Sequence, residues 1–293
     1  MSSRGETGAH TVTPQTLRDW PLPEPDESKY GRGQVVVVGG ALRSPGAATL
    51  AGVAALRVGA GRLTLAVGRS VAAHVAVATP ESGVVPLDET PGQSVSGFSL
   101  AAASDDLRRA DCVLLGPGLD DAGEAEVMLR DLPRHLDDDT VVVLDAFGLG
   151  VVPAVPEVAE RLGSRLALTP NKVEAALLLE RELGDLETDL VEIARRYRAV
   201  VVCYGVIAAP SGDTWIVGTG GAGLGTSGSG DVLAGAIAGL CARGATPEQA
   251  AVWATRLHVV VGDRLASTVG PLGFLASEML GELPAALASL TAQ

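Results

Sequence analysis

The chain has 293 residues, with 35 acidic against 22 basic side chains and a formal net charge of −13. The bases form no cluster, which argues against a nucleic-acid partner, and no uncharged apolar run approaches the roughly 18 residues that a membrane-spanning helix needs. Aromatic residues make up only 3% of the composition, so aliphatic and alanine side chains must supply the core.

Residues 1–30 are rich in Pro, Glu and Asp and lack the apolar segment of a secretory signal. They predict a flexible N-terminal lead-in, and a cytoplasmic location for the protein. Residues 31–293 are expected to form one domain. The isolated cysteines Cys112, Cys203 and Cys241 predict buried thiols, since neither a disulfide framework nor a metal site has this spacing.

From residue 34, short β-branched runs alternate with alanine- and leucine-rich stretches of helical length. The runs typical of strands buried on both faces span 34–40, 62–67, 112–118, 140–146, 165–170 and 199–205. The helical stretches span 45–61, 122–136, 155–163, 171–184 and 185–197. This order predicts an α/β fold, with a doubly wound, mostly parallel central sheet and helices on both faces.

After residue 205 the pattern changes. Two short strands are predicted around a Ser-Gly-Asp turn within 206–218, and three helical segments follow at 229–243, 247–265 and 273–289. Because ligands of an open parallel sheet bind beyond the carboxyl ends of the strands, the loops at those ends are the expected site.

The most specific loop is "GGAGLGTSGSGD", residues 220–231. Its glycines leave backbone N–H groups free to point inward, and the helix that starts at Ser229 or Gly230 opens with unpaired, partly positive amides. The loop therefore predicts an anion hole suited to a phosphate. Its members would be Gly225, Ser227, Gly228, Ser229 and Gly230.

Asp231 follows at once, in the first helical turn. There the helix dipole is expected to lower its pKa and keep it ionised, so that the carboxylate can act as a base toward a substrate hydroxyl beside the phosphate. The plainer alternative is that Asp231 only caps the helix.

Other polar positions carry weaker signals. The loop at 39–47 lacks both GxGxxG and GxxxxGK[ST] spacing, so neither a Rossmann site nor a P-loop is predicted. Asp145 ends a strand and is expected either to contact a ligand or to cap the next helix. His258, in an apolar helix, is expected to be a packing residue. No His or Cys grouping predicts a protein-held metal.

These motifs resemble those of ADP/ATP-dependent NAD(P)H-hydrate dehydratases, ribokinase-like proteins of the type found as the C-terminal domain of bifunctional nicotinamide-nucleotide repair enzymes. The resemblance covers roughly residues 30–290. It rests on "GAATLAGVAALRVGAGRLTLAV", "LLGPGL", "LDAFGL", "LTPNKVEAALLL" and above all "GGAGLGTSGSGDVLAGAIAGLCARG".

The resemblance implies a single ribokinase-like catalytic domain that repairs hydrated NADH and NADPH. ADP, or ATP as the alternative donor, would phosphorylate the hydroxyl on the reduced nicotinamide ring with Mg²⁺ present. Elimination of phosphate would then give NAD(P)H and, from ADP, AMP. The resemblance also implies a homo-oligomer and a separate epimerase.

Site residues follow from the same resemblance, position by position. Asp231 would be the catalytic base, and it would bind the hydrated dinucleotide together with Ala47, Gly118 and Asn171. The positions implied to contact the ADP or AMP nucleotide are Tyr204, Gly205, Val206, Ile207, Ala208 and Gly230.

Three positions depart from the family pattern. Asn171 stands where the family has histidine, so a proton-shuttling role there is lost. Phe147 replaces the second aspartate of "DAD", and Tyr204 replaces the lysine of "LKG", which removes a charge toward a diphosphate. Lys172 compensates only if its loop comes close to Tyr204.

Two other functions fit the same residues. One is a ribokinase-like kinase acting on a hydroxymethylpyrimidine or thiazole alcohol, for which the anion loop and Asp231 serve equally well. The other is a nucleotide-binding protein that has lost catalysis, which the three departures favour and the retained Asp231 disfavours.

Overall fold

The structure, a computed structural model, describes residues 8–24 and 26–291. One sheet runs through it. Its strands are β1 (Ala9–Thr11), β2 (Gln34–Gly39), β3 (Arg62–Gly68), β4 (Gly83–Leu87), β5 (Cys112–Leu115), β6 (Val141–Leu144), β7 (Leu166–Leu168), β8 (Val200–Cys203), β9 (Val206–Ala208) and β10 (Thr214–Ile216).

The helices alternate with these strands and then close the chain. They are α1 (Pro14–Asp19), α2 (Pro45–Arg57), α3 (Arg69–Ala78), α4 (Ser104–Arg108), α5 (Ala122–Asp131), α6 (Ala146–Gly150), α7 (Pro156–Leu162), α8 (Lys172–Leu179), α9 (Leu186–Tyr197), α10 (Ser229–Ala242), α11 (Pro247–Thr268) and α12 (Ala276–Thr291).

The sheet order is β1-β10-β9-β8-β7-β6-β5-β2-β3-β4. Every neighbouring pair is parallel except the two that involve β9. The predicted α/β class and mostly parallel sheet are therefore confirmed. The two short strands after residue 205 are also confirmed as β9 and β10, joined through the Ser211–Asp213 turn.

Two apolar cores lie on opposite faces of the sheet. Val35 and Val37 of β2 face the core made with α2, α10, α11 and α12, whereas Val36 and Val38 face the core made with α5, α7, α8 and α9. Successive strand side chains point to opposite faces, which explains why the predicted strands are apolar at every position. The helices on both faces are confirmed.

Several element bounds differ from the sequence expectations. The strand predicted over 112–118 ends at Leu115, because Gly116 has φ of 131° and begins a turn. The helix predicted over 171–184 ends at Leu179. No element was predicted for the segment 69–108, which contains α3, β4 and α4. Strand β4 is a five-residue edge strand that contains a proline, Pro86, and is partly exposed.

The N-terminal lead-in was expected to be extended and flexible over 1–30. Residues 1–7 of that range lie outside the described residues. Over 9–19 the expectation is corrected, because β1 pairs in parallel with β10 and α1 buries Leu17 in the core. Thr13 caps α1 through a reciprocal pair of contacts with Thr16.

The three cysteines are buried and free, as predicted. Among the described residues, no helix is both long and apolar enough to cross a membrane.

Candidate active site

The strand order changes direction between β2 and β5, and this reversal creates a crevice at their carboxyl ends. Gly40 N donates to Pro117 O at 2.9 Å, and Ala41 N donates to Gly118 O at 2.8 Å. Ala47 lies in the first turn of α2, directly after the β2 loop. The structure therefore brings the predicted substrate positions Ala47 and Gly118 to the switch point where open sheets bind ligands.

Helix α10 packs directly on α2, and two glycines make this approach possible. A Cβ atom on Gly235 would lie 2.0 Å from Ala51 O, and one on Gly239 would lie 2.5 Å from Ala55 O. Any larger residue would push the helices apart. The alanine- and glycine-rich sequence of α10 thus fixes the start of this helix, at Ser229, beside the crevice.

The start of α10 presents unpaired amides, as the glycine loop predicted. Gly228 caps the helix in a left-handed conformation with φ of 89°, and Val232 N donates to Gly228 O at 3.1 Å. Within the described part of the chain, the N–H groups of Gly230 and Asp231 donate to no backbone carbonyl. They are free to bind an anion.

A cleft of about 740 Å³ opens beside this helix start, on the side away from the crevice. Its walls come from the loops after β7 and β8, the glycine loop, α10 and α11. Six of the predicted site residues line it: Asn171, Tyr204, Gly205, Gly225, Ser229 and Gly230.

The remaining predicted residues lie elsewhere. Ala47 and Gly118 belong to the crevice, and Ser227 and Gly228 lie on the glycine loop. Val206, Ile207 and Ala208 form β9, where their side chains are buried in the sheet, so that only their backbone is suited to contact a nucleotide. The binding roles of these residues stay predictions.

Asp231 lies at the junction between crevice and cleft: the preceding Ser229 and Gly230 line the cleft, and its Oδ2 and Leu50 of α2 both lie within 4 Å of where a Cβ on Gly228 would be. Its side chain is partly buried. Burial raises the pKa of its carboxyl group to about 6. The expectation that the helix dipole lowers this pKa was wrong, because the desolvation penalty of the buried carboxylate exceeds its stabilisation by the helix dipole. A base with this pKa is still ionised at pH 7 and holds a proton better than an ordinary aspartate.

Asp145 is a second buried carboxyl at the same junction. It precedes α6 without capping it through its side chain, and its Oδ1 accepts from Thr169 Oγ1 at 2.8 Å. Burial raises its pKa to about 7, and the charges of Asp231 and Glu174 contribute. Of the two roles left open by the sequence, capping of α6 by the side chain is not seen.

Tyr204 and Lys172 meet at the rim of the cleft. Tyr204 and Gly205 form the two-residue turn between β8 and β9, with φ of 48° and 78°, the backbone of a type I′ hairpin. Lys172 Nζ lies 4.9 Å from the centre of the Tyr204 ring. Lys172 therefore comes close to Tyr204, the position at which the "LKG" motif of the family has a lysine.

Asn171 and Phe147, the other departures, also lie near the site. Asn171 Oδ1 accepts from Val173 N at 2.8 Å and from Glu174 N at 3.0 Å, which leaves its amide NH₂ to donate into the cleft. Phe147, on α6, is 40% exposed.

His258 has a larger part in the site than its apolar helix suggested. Its Nε2 atom lies 3.0 Å from Ser229 O and 2.9 Å from Ser229 Oγ. Burial lowers the pKa of His258 to about 4, so the ring is neutral at pH 7. Because a carbonyl oxygen only accepts, Nε2 carries the proton and ties α11 to the start of α10.

Thr255 is a further cleft residue that sequence reasoning missed. Its buried Oγ1 has no hydrogen-bond partner in the described structure. Thr255 and His258 are three residues apart, and with Val259 they face the cleft from one side of α11. Polar residues at helical spacing inside an apolar helix were the available signal.

Residues 8–24 and 26–291 contain no group of three or more His, Cys, Asp or Glu side chains placed to hold a metal ion.

Comparison with known sequences identifies a family. Residues 35–285 match the family described as NAD(P)H-hydrate dehydratase. The chain is 39% identical over 286 residues to an ADP-dependent (S)-NAD(P)H-hydrate dehydratase of Xanthomonas campestris, covering 94% of this chain and 96% of that one. It spans about half the length of the bifunctional NAD(P)H-hydrate repair enzymes that it also matches.

Solved structures have the same fold. A ribokinase-like superfamily protein of Enterococcus faecalis superposes with a TM-score of 0.77 at 21% identity over 100% of both chains, which confirms the ribokinase-like architecture. An ADP/ATP-dependent NAD(P)H-hydrate dehydratase of Bacillus subtilis, co-crystallised with ATP and Mg²⁺, superposes with a TM-score of 0.73 at 26% identity, covering 96% of this chain and 98% of that one.

Proposed function

Because the chain belongs to the NAD(P)H-hydrate dehydratase family, we propose that it is an ADP-dependent (S)-NAD(P)H-hydrate dehydratase. The observation that carries this proposal is the placement of Asp231. Its carboxylate stands between a crevice at the switch point of the sheet and a cleft lined by the anion loop, so one base can face an alcohol and a phosphate donor together.

Asp231 starts the first step by accepting the proton of the substrate hydroxyl. The hydroxyl oxygen bonds to the terminal phosphorus of ADP, and the bond from that phosphorus to AMP breaks. The amides of Gly230 and Asp231 stabilise the charge on the transferring group. Asp231 suits this role because its raised pKa lies close to neutral pH.

The second step breaks the bond between ring carbon and phosphate and releases phosphate. The adjacent ring carbon loses a proton, and the electrons of its C–H bond form the ring double bond. Asp145 is suited to accept this proton, since its pKa is raised to about 7 and its charge interacts with that of Asp231.

The nucleotide would lie in the cleft, with its phosphates toward the anion loop. Lys172 supplies positive charge beside Tyr204, and the unpaired Thr255 hydroxyl and the Asn171 amide supply hydrogen bonds. We propose ADP as the donor, with ATP as the alternative, on the strength of the named relatives.

Mg²⁺ fits this arrangement without a protein cage. It binds through one or two carboxylates together with nucleotide phosphates and water. Glu174 would hold it from the protein side, because the contact with Asn171 N uses one of its two oxygens. When bound, the ion supplies charge neutralisation on the phosphates.

The cytoplasmic location, the self-association and the need for a separate epimerase stay predictions from the sequence and the family resemblance.

The test is a direct assay. Purified protein with ADP and Mg²⁺ should restore the reduced-nicotinamide absorbance from hydrated NADH, releasing one AMP and one phosphate for each NADH formed. Folded protein that gives no restoration with ADP or ATP contradicts the proposal. Accumulation of a stable phosphorylated alcohol from a vitamin precursor would favour the alternative kinase.

A further inference from the structure

A second cavity lies at the opposite end of the sheet and has no part in the proposed reaction. Its volume is about 730 Å³, and we name it the arginine groove. Arg32 and Gly59, which line it, come shortly before β2 and β3, so the groove opens at the amino ends of these strands. Its lining residues are Leu17, Arg18, Pro21, Leu22, Pro23, Glu24, Arg32, Arg57, Val58, Gly59, Arg243, Trp253, Pro284, Leu287, Ala288, Leu290 and Thr291.

The groove concentrates positive charge in a protein whose net charge is −13. Arg18 lines it, and three further arginines, Arg32, Arg57 and Arg243, do so together with a single carboxylate, Glu24. Within the described ranges, none of these three arginines takes part in an ion pair. Seven arginines elsewhere in the described ranges, such as Arg69 and Arg130, do pair with a carboxylate.

Hydrogen bonds to the backbone satisfy only some of the donor groups of these arginines. Arg243 Nη1 donates to Val58 O at 2.7 Å, and Nη2 donates to Pro23 O at 3.4 Å, so Arg243 holds the N-terminal segment to the end of α2. The Nε atoms of Arg32 and Arg243 are buried and have no acceptor among the described residues. Unpaired buried donors are costly, and an anion would satisfy both.

Repulsion between the guanidinium groups supports the same conclusion. Burial lowers the pKa of Arg243, and the positive charge of Arg32 lowers it further, while Glu24 only partly opposes this. Guanidinium groups placed together in this way are typical of sites for phosphate and carboxylate groups, which they bind by paired hydrogen bonds.

The rest of the groove wall is apolar and aromatic. Trp253 is 2% exposed, and its indole Nε1 donates to Trp20 O at 2.8 Å; Leu22 and Leu287 lie beside it in the wall. The groove therefore offers an apolar wall next to a cationic end. Its volume falls within the range of roughly 300–1,000 Å³ found for small-ligand sites.

We propose that the arginine groove is a second ligand site, for a phosphorylated organic anion of mononucleotide size. The phosphate binds Arg32, Arg57 and the Arg243 Nε–H, and the organic ring packs on the wall formed by Trp253 and its leucine neighbours. Helix α10 starts at the cleft and ends next to Arg243, about 20 Å further on at ~1.5 Å for each residue, so the two ligands do not compete.

The tryptophans make the groove separately observable. The chain has three: Trp253 lines the groove, Trp20 accepts its hydrogen bond, and Trp215 contacts Trp20 with ring centres 5.8 Å apart. The cleft has no tryptophan in its lining. Intrinsic fluorescence therefore reports on the groove.

The test is a titration of the full chain with AMP at physiological salt, followed by tryptophan fluorescence and by equilibrium dialysis with labelled AMP. We expect a saturable fluorescence change and two bound AMP for each chain. Adenosine and inorganic phosphate should each bind the groove at least tenfold more weakly than AMP, because each lacks half of the ligand.

Arg57→Gln is the diagnostic variant, since Arg57 is exposed and its loss should not disturb folding; Arg32→Gln is the second. Each should weaken the fluorescence-detected binding at least tenfold and leave dehydratase turnover unchanged. Arg195→Gln is the matched control, because Arg195 is an exposed arginine on α9 and its substitution removes the same charge. It should change neither the fluorescence-detected binding nor the turnover. One bound AMP without a fluorescence change, or unaltered binding in both groove variants, overturns the proposal. Turnover is measured separately, so its absence would count against the proposed function alone.

Discussion

The cleft and the arginine groove lie at opposite ends of α10 and are of similar size, about 740 and 730 Å³, but they offer an anion different partners. At the helix start, the N–H groups of Gly230 and Asp231 are unpaired and the nearby charges are mainly carboxylates. At the helix end, Arg243 and three further arginines, Arg18, Arg32 and Arg57, line the groove. At the helix start, backbone N–H groups are available to bind an anion; at the helix end, only arginine side chains are.

This difference follows from the direction of the helix. Its first amides are unpaired and partly positive, whereas its last carbonyls are unpaired and partly negative. An anion at the start is held without side-chain charge, which leaves room for Asp231 to act as a base. An anion at the end must be held by guanidinium groups that also neutralise the carbonyls. Only the first end is therefore suited to general-base chemistry.

Asp231→Asn should separate the two ends most strongly. Without the base, turnover should fall by about 10³-fold, because asparagine cannot accept the hydroxyl proton. Steady-state rates of NADH recovery check this, and ADP binding measured by calorimetry should persist. A variant that retains a tenth or more of the activity would show that Asp231 only caps α10.

Gly235→Ala should disturb both ends at once, because it separates the helix that connects them from α2. The added Cβ would lie 2.0 Å from Ala51 O, so we expect the free energy of unfolding to fall by about 3 kcal/mol, at the upper end of overpacking costs. Urea unfolding measures it. Gly281→Ala, at an exposed position in α12 with no neighbour within 4 Å of the added atom, should instead stabilise by about 0.5–1 kcal/mol.

Asp145→Asn should raise the free energy of unfolding at neutral and alkaline pH, while lowering the rate of the proposed elimination step. The pKa of Asp145 is raised to about 7 in the folded state, so the folded protein binds this proton more tightly than the unfolded chain does. Stability therefore declines as pH rises from about 4 to about 7, where the buried group must ionise. The variant should gain up to about 4 kcal/mol at pH 8, since each pKa unit corresponds to about 1.4 kcal/mol, and nothing at pH 3.

Unfolding by urea at several pH values checks this sign. Asp185→Asn is the contrasting control, since hydrogen bonds from Thr188 lower the pKa of Asp185. Its loss should destabilise the protein at neutral pH, and the effect should vanish as the wild-type group is protonated in acid. A gain for Asp145→Asn that does not depend on pH would mean that burial of its charge is not the cause.

Tyr204→Leu should have the smallest effect on ADP binding, and it tests the contact between Tyr204 and Lys172 at the rim of the cleft. The contact with Lys172 is exposed, so its loss should weaken ADP binding only about threefold, in line with ~0.5–1 kcal/mol for an exposed cation–π pair. A double-mutant cycle with Lys172→Met measures the coupling. Additive effects would show that the two side chains act separately on the nucleotide.

Sequence patterns predicted those features of the fold that depend on residues adjacent in the chain. The apolar strand runs predicted the parallel sheet, and "GGAGLGTSGSGD" predicted a helix start with free amides at Gly230 and Asp231. The same patterns missed β4 and α3 near the sheet edge; β4 is only five residues long and contains Pro86, a residue that argues against a strand. They also assigned no strand or helix to residues 9–19, because pairing with β10 is a contact across two hundred residues.

The sequence by itself determined the fold class and the glycine-rich helix start that precedes Asp231, because helix starts and strand periodicity depend on neighbours in the chain. Only the tertiary structure decided that the pKa of Asp231 is raised, that Lys172 lies beside Tyr204, that His258 contacts Ser229 and that four arginines line one groove. Burial and charge act through space, and they depend on which distant segments the folded chain packs together.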